Sequence, residues 1–335
     1  MGQKWAMKVQ LGRETTPGTA VAATTIFRGV GGMLEDTREV TMVEELIGIA
    51  IPTTRSYIGQ LGAALAMAAT PATFEQLPHI LEAGIKTVSA ASDGVGTGKI
   101  YAYTTPTTAV NTIKTYTIET GDSQQAEKME YSFVESFTLT GERGQAVMMS
   151  ADWIGRQVTN ATFTGALSVP TVEDIITGKG AFYIDAVGGT VGTTAITGTL
   201  LGWELSVTTG WRGKWTVDNG QLYYNFHYFD RDSFEAELSL TFEHDANAVT
   251  QKGLFQSNTA RLFRINIPGS ALTTGGTTYQ NKTLRIDAAA KYTEWDAVDT
   301  EDGNSIVTAT ARIGYDPTAA LGLAITVVNE LATIP

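Results

Sequence analysis

Three histidines, His79, His227 and His244, are the side chains best suited to moving protons near neutral pH. His79 follows Pro78 in a short helical pattern, His227 sits in an aromatic strand, and His244 stands beside a helix cap. Each is a place where an imidazole serves packing. Neither HExxH nor GxSxG occurs, so no metalloprotease pair or nucleophile elbow accompanies them. Gly94-Val95-Gly96-Thr97-Gly98-Lys99 resembles part of a phosphate loop. However, Asp93 stands where Gly is required and Ile100 where Ser or Thr would hold magnesium, so a flexible loop is expected. Asp296, Asp299, Glu301 and Asp302 could collect calcium, but their spacing misses the D-x-[DN]-x-[DN]-G pattern and a solvated hairpin tip is the plainer reading. Asn160-Ala161-Thr162 and Asn281-Lys282-Thr283 match the glycosylation sequon, without a visible signal peptide to give them meaning. The expectation is a protein with no catalytic residues, no cofactor and no metal: not an enzyme.

Composition narrows the classes further. Lys and Arg number 23 against 35 Asp and Glu over 335 residues, a net charge of −12, so tight wrapping of nucleic acid is disfavoured by repulsion. Cysteine is absent, which removes disulfides, thiolate metal sites and thiol catalysis. Only 17% of residues are charged while 43% are apolar, a balance suited to a surface consumed by neighbours. Trp203, Trp211, Trp215, Tyr223, Tyr224, Phe226, Tyr228 and Phe229 make an aromatic-dense segment with only Arg212 and Lys214 nearby. It reads either as a stacking platform for sugars or bases or as packing, and packing is favoured. Trp203, Trp211, Trp215, Tyr224, Phe226 and Tyr228 are the candidates for inter-subunit packing.

The elements that must position these residues are mainly strands, since alternation rich in Thr, Val, Tyr, Phe and Trp dominates. Hairpins are expected at 130–140 with 145–154, and at 284–295 with 305–315. Strands are expected over 200–217, broken at Gly210, and over 221–229 after the Asp218-Asn219-Gly220 turn. Helices are expected at 70–84, with a Pro in its first turn, and at 245–258, capped by Asp245 with Val249, Leu254 and Phe255 inward.

These elements recur in order. Ser56–Leu61 aligns with Ser233–Leu238 at an offset of 177, each strand leading to a helix, a strand (114–119, then 261–267) and a hairpin closing on Trp153-Ile154-Gly155-Arg156 or Arg312-Ile313-Gly314-Tyr315. A long antiparallel pair, 25–51 or 199–230, precedes each. The fold class expected is therefore mainly β: two tandem β-sandwich modules, each with a flanking α-helix, spanning 1–165 and 166–335 and joined within 160–179.

The opening run Gly12-Arg13-Glu14-Thr15-Thr16-Pro17-Gly18-Thr19 resembles the "G-x-E-T-x-x-G-T" start of long-tailed bacteriophage tail tube (major tail) proteins. Pro52-Thr53-Thr54-Arg55-Ser56-Tyr57, leading into a strand, is similar too. The resemblance implies tail-tube-like modules whose long strands join side by side into a ring with a central β-barrel. With two modules per chain it implies homotrimeric, pseudo-hexameric rings stacked into the tube that delivers the genome. The implied partners are the chain itself, tape measure, tail terminator and distal tail proteins, with DNA only in transit; the implied location is the virion, after assembly in the host cytoplasm. Strands 26–51 and 200–229 are the lumen candidates. Glu35, Asp36, Glu39, Glu44 and Glu45 are the candidates for the acidic inner face or ring-stacking surface, which would keep DNA phosphates from sticking. Loops 15–25 and 88–111 are candidate stacking arms.

Two other classes stand beside this one. A porin-like outer-membrane barrel shares the acidic, Cys-free, Gly- and Tyr-rich composition, but no signal peptide or terminal aromatic is seen and membrane insertion is not expected. A β-sandwich carbohydrate- or ligand-binding module would use the Trp211–Phe229 aromatics.

Overall fold

Alternating sequence becomes antiparallel strand along most of the chain. The computed structural model describes residues 2–29, 32–51, 53–217 and 220–335, so Asp218 and Asn219 of the expected turn lie outside the described residues. The first half carries β1 (Lys8–Arg13), β2 (Thr25–Phe27), β3 (Glu35–Asp36), β4 (Glu39–Glu44), β5 (Thr53–Gln60), β6 (Ala63–Pro71), α1 (Leu77–Gly84), β7 (Ala91–Ser92), β8 (Lys99–Thr104), β9 (Tyr116–Gly121), β10 (Ala126–Glu142), β11 (Met148–Gly155) and β12 (Val158–Ala161). β10 serves two sheets. Its first part lies between β9 and β12, and its second between β11 and β15 (Leu200–Thr208). The strand bends where the pairing shifts, around Tyr131, whose φ is 55°. β1 joins β9 to β2, and β6 joins β11 to β3.

The second half begins at β13 (Ala181–Ala186), β14 (Ala195–Ile196) and β15. It continues through β16 (Trp211–Lys214), β17 (Phe226–Phe229), β18 (Glu235–Glu243), α2 (Ala246–Gln256), β19 (Arg261–Ala271), β20 (Asn281–Trp295), β21 (Asp299–Glu301), β22 (Asn304–Ile313) and β23 (Leu323–Asn329). β20 again serves two sheets, pairing with β19 and β23 in its first part and with β22 in its second. β13 joins β19 to β14, and β18 joins β22 to β15. Six strands thus run side by side without interruption, β6–β11–β10–β15–β18–β22. Among the described residues no path of strand pairings returns to its start, so no barrel closes within one chain.

One face of that sheet is apolar. Leu65, Trp153, Phe137, Leu139, Leu205, Leu238, Leu240 and Phe242 are buried in a core that runs through both halves. Trp153 is fully buried and donates its indole N–H to the Met67 sulfur at 2.9 Å, and truncating it to Ala would cost about 3–5 kcal/mol.

Local chemistry moved several boundaries. Helix α1 begins at Leu77, not Thr70, because Thr70 and Pro71 still belong to β6 and Thr73 bridges to Asp174. Pro78 then sits in the first turn, where no N–H is needed. α2 is capped as expected, Asp245 accepting from the Ala248 N–H, but Val249 points to solvent while Ala248 and Gln251 are buried. The expected long pair over 25–51 is three short strands, β2, β3 and β4. Residues 221–225 are not strand; β17 starts at Phe226. The 177-residue offset also falls. Ser56–Gln60 ends β5, whereas Ser233–Leu238 leads into β18, and it is β6 that pairs with β11 as β18 pairs with β22. Loop 88–111 carries β7 and β8, and β8 pairs with β23. Segment 15–25 lies against the body, with Gly18 N–H on Glu14 and Ala23 N–H on Thr164. The 160–179 join is also bound down, Ile175 being fully buried between Ala72 and Val147 backbone partners.

Candidate functional site

The six-strand sheet turns its second face to solvent, and that face is polar by strict alternation. Across it run the rows Asp152–Ser136–Thr208–Glu235 and Ser150–Thr138–Ser206–Glu237–Arg312, with Thr140–Glu204–Ser239–Thr310 next to them. Ser136 donates to Asp152 at 2.7 Å, and Arg312 pairs with Glu235 at 2.8 Å. Small hydroxyl side chains leave the surface flat, and the carboxylates of Asp152, Glu204, Glu235 and Glu237 outnumber Arg312 and Lys291. This acidic plane was not among the expected site residues. Its signal was legible in the run Glu235-Ala236-Glu237-Leu238-Ser239-Leu240-Thr241-Phe242-Glu243, where every second residue is polar.

Of the expected acidic residues, Glu35 and Asp36 are exposed on the short edge strand β3, while Glu39, Glu44 and Glu45 belong to the hairpin made by β4 and β5. Arg38 holds Asp36 at 2.9 Å and Arg55 holds Glu45 at 3.1 Å. By register Glu35 lies on the same face as Asp152, at the β3 edge of that sheet, whereas Glu39, Glu44 and Glu45 belong to the separate hairpin. The β4–β5 hairpin is a separate two-stranded sheet whose apolar side chains are bare: Val40 is 56% exposed, Met42 65%, and Leu46, Ile49 and Ile51 more than half.

A second separate hairpin, β16–β17, carries most of the aromatic candidates. The structure buries Trp203, Trp211 and Tyr224 within the chain, at 4%, 3% and 1% exposure, so they are intramolecular packing and offer no stacking platform. Trp215, Phe226 and Tyr228 remain exposed. Trp211 and Tyr224 pack with Tyr131, Phe133 and Ile113 of the first half. Arg156 ties the arrangement: its Nε and Nη2 donate to the Tyr224 and Asn225 carbonyls at 2.9 Å, and its Cζ lies 4.3 Å from the Tyr131 ring centroid. His227 meets the Tyr131 hydroxyl at 3.2 Å, and burial lowers its pKa.

His79 is the most perturbed imidazole. Burial, with the nearby Arg13 charge, lowers its pKa to about 3, so it is neutral and meets the Tyr116 hydroxyl at 3.0 Å. Tyr116 in turn donates to Glu82, which accepts from Arg13 at 2.6 and 2.9 Å. Burial pushes Glu82 up while Arg13 pulls it back only partly. Arg13 also donates to the Ile334 carbonyl. The group is closed and fully partnered, so it fixes β1, α1 and β9 together; nothing in it faces a cleft. His244 is exposed, its backbone N–H on Ser305.

The remaining candidates resolve as structure. Asp93 accepts from the Thr278 and Tyr279 N–H groups at 2.6–3.0 Å, which pins the glycine-rich loop. Glu301 and Asp302 pair with Arg143. Among the described residues no group of His, Asp or Glu is arranged to hold a metal ion, and no helix is long and apolar enough to cross a membrane. No protein-family model matches the chain, and no curated protein matches it.

Proposed function

We propose that this chain is a structural subunit of a bacteriophage tail tube, non-enzymatic, built of two tandem modules, three chains closing a ring of six. The observation that carries the reading is the order of pairing in the two halves. In the first it is β2–β1–β9–β10–β12 with β3–β6–β11–β10. In the second it is β14–β13–β19–β20–β23 with β15–β18–β22–β20. The strands correspond one for one, each set has its helix after the corresponding strand (β6 or β18), and each has its detached hairpin just before that strand.

Edge chemistry adds support. The first half meets the second where β10 pairs with β15. The corresponding edges, the second part of β20 and the short β3, have no strand partner on that side among the described residues. Open edges of this kind are aggregation hazards that ring closure removes. In such a ring the acidic plane of Asp152, Glu204 and Glu237 faces the bore, where fixed negative charge lets DNA pass without adhering. Tail tube membership also makes tape measure, terminator and distal tail proteins the axial partners, and the virion the final location.

Negative-stain electron microscopy of concentrated protein tests this. Rings or hollow tubes with three-fold averages of six lobes are the expected result. A chain that remains monomeric at every concentration, alone and with its tail partners, overturns it.

A further inference from the structure

The two detached hairpins differ in one respect: β16–β17 is covered and β4–β5 is not. In the β3–β6 pair Asp36 stands opposite Ala63, and in the β15–β18 pair Val207 stands opposite Ala236. Four residues on from these positions come Val40 and Trp211, each paired across its hairpin, with Ile58 and Phe229. Trp211 is buried on the first half beside Phe133 and Ile154; Val40, at the matching place, is bare.

The seat for such a hairpin also occurs twice. In the first half Ile154 and Gly155 lie beneath Arg212, Trp215 and Tyr228 of the β16–β17 hairpin. In the second half Ile313, Gly314 and Tyr315, at the corresponding end of β22, line, with Phe229, Phe234 and Leu323, an open cleft of about 340 Å³. A Cβ added to Gly314 meets nothing within 4 Å.

We propose that the Val40, Met42 and Ile58 face of the β4–β5 hairpin docks into the Ile313–Tyr315 cleft of a second copy of this chain. This rests on the two-module reading and supplies the residues of its chain-to-chain contact. The occupant is a second copy because the same contact is already made once inside each chain, by β16–β17 on the first half. The patch and its seat differ, so the contact is head-to-tail and leaves one patch and one seat open at the ends unless the assembly closes.

The chain lacks cysteine, so introduced thiols report alone. Chains carrying Ile58→Cys are mixed with chains carrying Tyr315→Cys and oxidised. The expected result is a disulfide-linked pair in the mixture and none in either variant by itself. Linking of each variant to itself, or no link where rings are visible by electron microscopy, overturns the docking and leaves the tube reading standing. Gly314→Trp puts an indole at the cleft, at a position where an added Cβ meets nothing within 4 Å. It is expected to keep the wild-type circular dichroism and melting profile while losing rings, and rings of normal abundance overturn the proposal. Wild-type chains that never associate overturn both readings.

Discussion

The guanidinium of Arg156 lies over the ring of Tyr131, 4.3 Å from its centroid, while donating to the carbonyls of Tyr224 and Asn225. One side chain therefore joins the end of β11, the bend of β10 and the loop leading to β17. Tyr224 completes the clamp by donating its hydroxyl to the Tyr131 carbonyl.

Arg156→Ala is expected to free the β16–β17 hairpin. Losing the cation–π contacts with Tyr131 and Tyr223 and the hydrogen bonds to the Tyr224, Asn225 and Gly18 carbonyls should cost about 2–3 kcal/mol. Amide hydrogen exchange over residues 211–229 should accelerate more than over β13 and β19, which Arg156 does not touch. Uniform exchange rates across all of these would assign the clamp to Tyr224 alone.

His79 makes stability depend on acid. Its pKa is lowered from 6.5 to about 3 by burial and by Arg13, so below pH 6.5 the unfolded chain takes up a proton that the folded chain refuses. Stability from this group is complete above pH 6.5 and declines as the pH falls toward 3, by about 4–5 kcal/mol at the lower limit. His79→Gln should be less sensitive than wild type across that window in thermal melts read by near-ultraviolet circular dichroism. Parallel profiles from pH 7 to 4 would show that His79 is solvated in the native state.

The acidic plane carries a third expectation. Assembled tubes of Glu204→Lys with Glu237→Lys should bind short duplex DNA, with an affinity that falls as salt rises. Wild-type tubes should leave the fluorescence anisotropy of the same labelled duplex unchanged. Equal binding by both would move those residues off the bore.

Much of the strand framework was legible because alternation survives wherever one face is buried. The hairpins expected at 130–154 and 284–315 are there as β10–β11 and β20–β22, with strand ends shifted by a few residues. The Asp245 cap was legible for a local reason, a carboxylate accepting from the N–H three residues on. What sequence could not reveal depends on distance. The detached β4–β5 hairpin alternates like any other strand pair, and nothing local says that Val40 stays bare while Trp211 is covered. The start of α1 was misplaced because Thr73 bonds to a segment a hundred residues away. Glu39, Glu44 and Glu45 are conspicuous by clustering but lie on the separate hairpin. Those that share a face, Asp152, Glu204 and Glu237, are scattered along the chain and meet only through strand register.

The pairing of β8 with β23 has a kinetic side. The Tyr101 hydroxyl donates to the Leu331 carbonyl, 230 residues further along. At about 5–20 residues per second of synthesis, β8 waits roughly 10–45 s on the ribosome for its partner. Through that interval β8 has only the short β7 beside it, and the first half lacks one of the strands that tie it to the second. The sheet that β8 joins is therefore complete only once β23, near the end of the chain, has emerged.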